Sequence, residues 1–160
     1  MADGLSRLAS ATKYTGPEPV LGITPPNVRK ELQHWACREQ WWQWREATKF
    51  RQAKQLLRQV DLSFTKYALR LSRTDLRILT GLLTGHADLN RHLTLMQTRT
   101  DAACPLCQED EETVLHLLGE CSALYAKHLS ILGYPYLSYE ELGRMHWCTL
   151  LRFVKASQRF

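Results

Sequence analysis

The chain has 160 residues, a 44% hydrophobic share and a formal net charge of +5. That length and apolar content suit one globular domain, or one and a half, with a core of its own. No run of 18 apolar residues exists and the opening MADGLSRLAS lacks the charged-then-apolar layout of a secretory signal, so neither a transmembrane helix nor export is expected, and the compartment reads as nucleus or cytoplasm. In chain order, residues 2–11 read as a short helix, with Leu5 and Leu8 three apart. Residues 12–26 hold four of the six prolines and two glycines, an extended linker whose Val20, Leu21 and Ile23 can dock on a neighbour. Thr24 is a candidate N-cap, with Pro25 and Pro26 at the first helical positions.

From Asn27 a long helical pattern begins, with Val28, Leu32, Trp35 and Trp42 at helical spacings and Phe50 and Leu57 extending them. Its expected breaks are Thr48 and the Asp61-Leu62-Ser63 stretch. Ser63 is expected to cap a short helix through Leu71. Ser72 is expected to cap the next, with Asp75 as an acidic variant of the capping box. That helix carries Leu76, Ile78, Leu79, Leu82 and Leu83 and stops at Gly85. Leu89, Leu93 and Met96 mark another short apolar stripe. Residues 97–111 read as a loop, and 112–119 and 122–132 as helices, the second stopped by Gly133 and Pro135. Ser138 with Glu141 is a capping-box signature for the last helical stretch, with Leu142, Met145, Leu150, Phe153 and Val154 as its apolar positions. Strand alternation is scarce. The fold class is mainly α: a small helical bundle with one zinc-stabilised knuckle loop.

The knuckle rests on spacing. Five cysteines are an odd number, and three of them share residues 104–121 with one histidine. That argues against a secreted disulfide framework and for a metal site. The pattern is Cys104-Pro105-Leu106-Cys107, then His116, then Cys121. Two thiols two residues apart form a knuckle, Pro105 stiffens it, and His116 with Cys121 completes a tetrahedral shell of the kind zinc takes. Four protein ligands leave no position for water, so the site is structural rather than catalytic. The alternative is three buried thiols and a solvated histidine, for which an acidic, polar loop is a poor setting. Cys37 and Cys148 stand apart as core or surface thiols. His86, following Gly85, is read as satisfying a helix end, and neither it nor His92 joins the zinc shell.

Charge is unevenly placed. Residues 27–60 hold eight Lys/Arg against three acids, whereas residues 104–121 hold five acids and no Lys/Arg. The segment HWACREQWWQWRE interleaves tryptophan with Arg38 and Arg45, the composition that single-stranded nucleic acid uses for phosphate attraction and base stacking. Trp35 and Trp42, seven apart, read first as core on one helical face. Trp41 and Trp44 point elsewhere and are candidate contacts. Arg70, Arg73 and Arg77, at spacings of three and four, read either as a phosphate-binding ridge or as a solvated face. The run Glu109–Glu112 complements a helix dipole and repels phosphate. A nucleic-acid contact therefore falls to the helices, with the metal loop bracing the fold.

Several of these motifs together resemble a known family. Leu83-Thr84-Gly85-His86, Leu89-Asn90-Arg91-His92-Leu93, the Cys104-Pro-Leu-Cys107 knuckle, Glu111-Glu112-Thr113, His116 and Cys121 resemble the C-terminal region of LINE-type (non-LTR) retrotransposon reverse transcriptase polyproteins. Ala2-Asp3-Gly4-Leu5-Ser6-Arg7-Leu8-Ala9 resembles the end of the RNase H domain that precedes that region, and Gly16–Ile23 resembles the linker between them. The resemblance implies three parts: residues 1–11 as a remnant of the last RNase H helix, 12–26 as linker, and 27–160 as a helical zinc-binding domain. It implies zinc as cofactor, RNA or single-stranded DNA as partner, and the rest of the polyprotein as a second partner. Asp3 matches the family's late catalytic aspartate, but the other acidic residues and their sheet are absent, so no enzymatic activity is expected. The alternatives are a protein-interaction or self-association scaffold and, further off, residual RNase H activity carried by Asp3.

Overall fold

The computed structural model describes residues 2–13, 16–17, 22–57 and 62–160. The described residues are mainly helical and contain no strand. Val20, Leu21 and Asp61, named above as docking residues and as a helix break, lie outside the described residues. Contacts divide the chain into residues 1–37 and residues 38–160.

In the first unit, α1 (Ala2–Ala11) is where the leucine spacing places it. Leu5 and Leu8 are 69% and 66% exposed, and the helix is held by its own polar side chains. Ser6 and Ser10 donate back to the Asp3 and Arg7 carbonyls at 3.0 and 2.9 Å, and Arg7 pairs with Asp3 at 3.8 Å. Ile23, a candidate docking residue, is exposed. The helix α2 (Pro25–Glu46) opens at the two prolines, and the Thr24 carbonyl accepts the first helical N–H, from Val28, at 3.1 Å.

No residue of α2 is buried. This corrects the reading of Trp35 and Trp42 as core: both are exposed, as are Val28, Leu32 and, beyond the helix end, Phe50. The physical reason lies in the stripe itself. Glu39 follows Trp35 by four residues and Glu46 follows Trp42 by four, so charged side chains take the places that would extend the stripe, and the apolar face is narrower than a core-facing helix requires. The helix ends at Glu46, just before the expected break at Thr48.

The second unit holds the core. The helix α3 (Arg51–Leu56) buries Ala53 and Leu56. The next helix, α4 (Leu62–Ala68), starts one residue before Ser63, so Ser63 lies inside the first turn and does not cap it, and the helix stops short of Leu71. In α5 (Arg73–Thr84), Ser72 accepts the Asp75 N–H as the cap, and Gly85 closes the helix at φ 77°, a conformation that costs glycine nothing. The Asp75 carboxylate also reaches Lys155 at 2.7 Å, and that bond, with its contact to Ser72, holds it below the ordinary carboxylate value. The short α6 (Asn90–Leu95) follows. Residues 114–133 form one continuous path of mixed turns. A π-helical turn over His116–Glu120 and a 3₁₀ turn over Ser122–Leu124 lead into α7 (Tyr125–Lys127) and a second π-helical turn, His128–Leu132. Gly133 stops it at φ 85°. The helix α8 (Tyr139–Leu142) opens on the complete Ser138–Glu141 capping box, and α9 (Trp147–Ser157) buries Leu150, Leu151, Phe153 and Val154.

The core gathers Leu56, Leu82, Leu89, Leu117, Leu118, Leu142, Leu150 and Phe153 around α9, with the sulfurs of Cys104 and Cys121 in the same cluster. His128 is fully buried there. Its ring stacks on Phe153 with centroids 4.7 Å apart, and its Nε2–H donates to the Leu117 carbonyl at 3.1 Å. Burial holds the imidazole below its ordinary pKa of 6.5 despite that carbonyl. A histidine kept neutral in the folded state binds fewer protons than the unfolded chain. Its contribution is therefore whole above 6.5 and is lost as pH falls below it. Against His128→Phe, which removes the titrating group and keeps the stack, the wild type is expected to lose up to about 1.4 kcal/mol of relative stability per pH unit below 6.5. Urea unfolding of both proteins at pH 7.5 and 5.5 measures this, and an unchanged difference contradicts it.

Candidate metal centre

Two arms of the second unit converge on one point. The first is the loop 103–111. An isolated antiparallel bridge pairs Ala103 with Glu111. Inside it the Cys104 N–H donates to the Asp110 carbonyl and the Gln108 N–H to the Cys104 carbonyl, both at 2.8 Å. Gln108 takes a left-handed φ of 60° to make that turn. The second arm is the π-helical turn. The Cys121 N–H donates to the His116 carbonyl at 2.8 Å, a bond that spans five residues instead of four. In an α-helix a residue five further on lies about 140° round the axis. The wider turn brings Cys121 back towards His116. Thr113 starts this arm by accepting the His116 N–H on its Oγ1 at 3.0 Å.

The result is a group of four side chains: Cys104, Cys107, His116 and Cys121, whose ligand atoms all lie within 4.8 Å of one another. Cys104 Sγ is 3.9 Å from Cys121 Sγ, and Cys107 Sγ is 3.3 Å from His116 Nε2. A tetrahedral ion bonded to sulfur at about 2.3 Å and to nitrogen at about 2.0 Å has edges of roughly 3.5–3.8 Å. The donor set and its spacing therefore fit one metal ion. Cys104 and Cys121 are fully buried and His116 is 3% exposed, while Cys107 lies nearer the surface. Among the described residues this is the one such grouping, and it contains neither His86 nor His92. Those two stack on each other with ring centroids 4.9 Å apart.

The electrostatics agree with the donor set. Burial first, and then the charge of Cys104, push the Cys121 thiol up to about 12. Cys107 feels burial in the same direction, but the Glu109 and Asp110 backbone N–H groups outweigh it and leave the thiol below its ordinary value of 9.0. Thiolates this close are stable together when a cation sits among them.

The acidic run beside the ligands is not a uniform solvated face. Glu109 accepts from Ser122 Oγ at 2.6 Å, and Glu111 pairs with Arg91 at 3.1 Å. Glu112 is fully buried and paired with Arg159. The expectation that this run simply lines a helix start is corrected for Glu112, which stands two residues before the first helical turn at Val114. Sequence spacing had no means of linking residue 112 to residue 159.

The candidate nucleic-acid contacts distribute unevenly. Arg38 is exposed and Trp41 is 44% exposed, and the Arg45 guanidinium lies over the Trp41 and Trp42 rings at 5.3 and 5.7 Å from their centroids. Trp44 is half-buried and stacks on Phe50 with centroids 6.2 Å apart. Trp42, read from spacing as core, is 52% exposed and belongs with Trp41 and Arg45. The signal for it was Arg45 three residues on. Lys54, part of the basic segment, folds back to donate to the Arg45 carbonyl at 2.9 Å and to the Ala47 carbonyl, so it serves the end of α2. The three-arginine ridge is not continuous. Arg73 and Arg77 share α5, but Arg70 precedes its cap, and Arg77 is paired with Asp88. Asp3 lies on α1, exposed and paired with Arg7. Cys37 and Cys148 are exposed thiols. Comparison with protein-family profiles, with curated proteins and with solved structures gives no match to this chain.

Two outcomes test the centre. Because Cys121 is pushed up to about 12, metal uptake near pH 7 is expected to release at least one proton per ion, and affinity is expected to fall as pH drops and protons compete for the sulfurs. A pH indicator in weak buffer reads this, and uptake without proton release contradicts ligation by Cys121. Gly119 stands between the two ligands of the second arm, and a Cβ there would collide with the Leu137 carbonyl oxygen. Gly119→Ala is expected to destabilise the fold by about 1–3 kcal/mol or more, measured by urea unfolding of the metal-loaded protein. A change below half of that range would show that the turn can shift freely.

Proposed function

We propose that this chain is a non-catalytic, zinc-stabilised helical module that binds RNA or single-stranded DNA, and that it derives from the C-terminal region of a LINE-type reverse transcriptase polyprotein. The observation that carries the reading is the exposed Trp41–Trp42–Arg45 group set in a basic segment. An arginine over two accessible indoles offers stacking faces and a cation together, and stacking tolerates any base. Arg38, Arg45, Lys49 and Arg51 supply phosphate attraction around it, and Trp44, Arg70, Arg73 and Arg77 remain candidates at its margins.

Zinc is the ion the donor set favours. Three thiolates and an imidazole suit it, and four protein ligands close the shell. Iron–sulfur ligation would call for a fourth cysteine. Structural zinc of this kind contributes about 10–16 kcal/mol to small peptide folds, enough to govern whether residues 104–121 hold their shape. On this reading the metal braces the core, and the aromatic and basic residues touch the nucleic acid. The ordering of motifs shared with the retrotransposon family supports the same assignment. No described helix is long and apolar enough to cross a membrane.

Fluorescence anisotropy with a labelled single-stranded RNA and DNA tests the proposal. Binding is expected to weaken as salt rises from 50 to 200 mM. Trp41→Ala and Trp42→Ala are each expected to cost about 1–3 kcal/mol. No affinity, or affinity indifferent to salt and to both substitutions, sinks it. A second reading, a scaffold that docks on the polyprotein or on another copy, is favoured by the absence of any buried residue on α2. Sedimentation showing a dimer lost on Trp41→Ala, with no nucleic-acid affinity, would put that reading in first place.

A further inference from the structure

A second polar cluster lies beside the metal ligands and shares none of its side chains with them. The Glu112 carboxylate is fully buried, and both its oxygens are used. Arg159 donates from Nε to Oε1 and from Nη2 to Oε2, the latter at 2.7 Å. The Asn90 backbone N–H donates to Oε2 at 2.6 Å. The Asn90 side chain then donates to the Ala103 carbonyl at 2.7 Å and accepts from Arg99 at 2.9 Å and Arg159 at 3.4 Å. The Glu112 N–H donates to the Ala102 carbonyl at 2.8 Å.

These bonds end next to the ligands. Ala103 is bonded covalently to Cys104. Thr113, the residue after Glu112, accepts the His116 N–H. The cluster therefore grips the chain one residue before the first ligand of one arm and four residues before the first ligand of the other. Arg159 itself is held firmly protonated, first by its bond to Glu112 and also by the charge of Cys104. A buried carboxylate–guanidinium pair is costly to desolvate and is a poor source of stability beside an apolar pair of equal volume. Its geometry, bidentate and directional, is what an apolar pair cannot reproduce.

We propose that Glu112 and Arg159 are positioning residues for the metal centre: through Asn90, Ala103 and Thr113 they hold the Cys104 and His116 arms at the separation one ion requires. The inference rests on the metal-centre reading. A divalent ion with three thiolates carries a net negative charge, and the Arg159 guanidinium offsets it within the same core. Because coupling is reciprocal, an occupied centre holds Arg159 in place as strongly as Arg159 supports occupancy. Outer partners of this kind typically change metal affinity 10–100-fold.

The test is a cobalt(II) titration of the reduced, full-length protein, read by the thiolate-to-cobalt charge-transfer band and by the d–d bands that report ligand geometry. The wild type is expected to bind one ion in a tetrahedral site. Arg159→Met and Glu112→Gln are expected to bind at least tenfold more weakly with displaced d–d bands, which a general loss of fold stability alone would not produce in the saturated protein. Affinities within threefold of wild type with unmoved bands overturn the proposal. Should those variants not fold, Arg159→Lys and Glu112→Asp decide it by the same titration. Each keeps the charge and breaks the fork geometry, so a loss of threefold or more is expected and wild-type affinity overturns it. A wild type that shows no charge-transfer band sinks the metal centre and this inference together, whereas wild-type affinity with unmoved d–d bands in every variant sinks the inference alone.

Discussion

The convergence of Cys104, Cys107, His116 and Cys121 is the constraint on which residues 38–160 turn. Two of the four sulfur and nitrogen donors are wholly enclosed by the same leucines that make the core. The apolar packing and the donor group are thus one object. Leu117 and Leu118 lie between His116 and Cys121 in the chain and are themselves fully buried, so the turn that aims the donors also fills the core. The backbone meets this double demand by opening one turn from four to five residues. The departure from α geometry is the means by which two ligands five residues apart share a face.

What was legible in the sequence were the features written in local chemistry. Ser72 and the Ser138–Glu141 box announce helix starts, Gly85 and Gly133 announce ends, and the four-residue donor pattern announces its own convergence. Each depends on groups within a few residues of one another. What could not be read depends on distant pairing or on competition. Nothing near Glu112 marks it as the one acid of its run to be buried, because its partner lies 47 residues away. The exposure of Trp35 and Trp42 was hidden for the opposite reason. A spacing of seven describes a face, and whether that face is covered depends on what else needs to be covered. The core is assembled from leucines further along the chain. Ser63 shows a third limit: a good capping residue is not a cap when the helix starts one residue earlier.

The two halves of the proposed function carry opposite charge. The donor loop is acidic, and three of its acids, Glu109, Glu111 and Glu112, are occupied by Ser122, Arg91 and Arg159. The basic side chains of residues 38–51 lie with exposed aromatic rings. This separation suits a protein in which the metal never meets the nucleic acid.

The five-residue turn also sets a rule for length. The spacer between His116 and Cys121 has four residues, and its third, Gly119, lies where the Leu137 carbonyl leaves no space for a side chain while accepting the Leu137 N–H at 2.9 Å. A spacer shortened by one would close as an ordinary α-turn and still bring a cysteine near the histidine, but it would move the glycine out from under Leu137. A spacer lengthened by one would lose the closing bond altogether. Insertions and deletions, generally tolerated in loops, are barred from this one, and a chain sharing this architecture is recognisable by the count of residues and the place of the glycine before any other identity is compared.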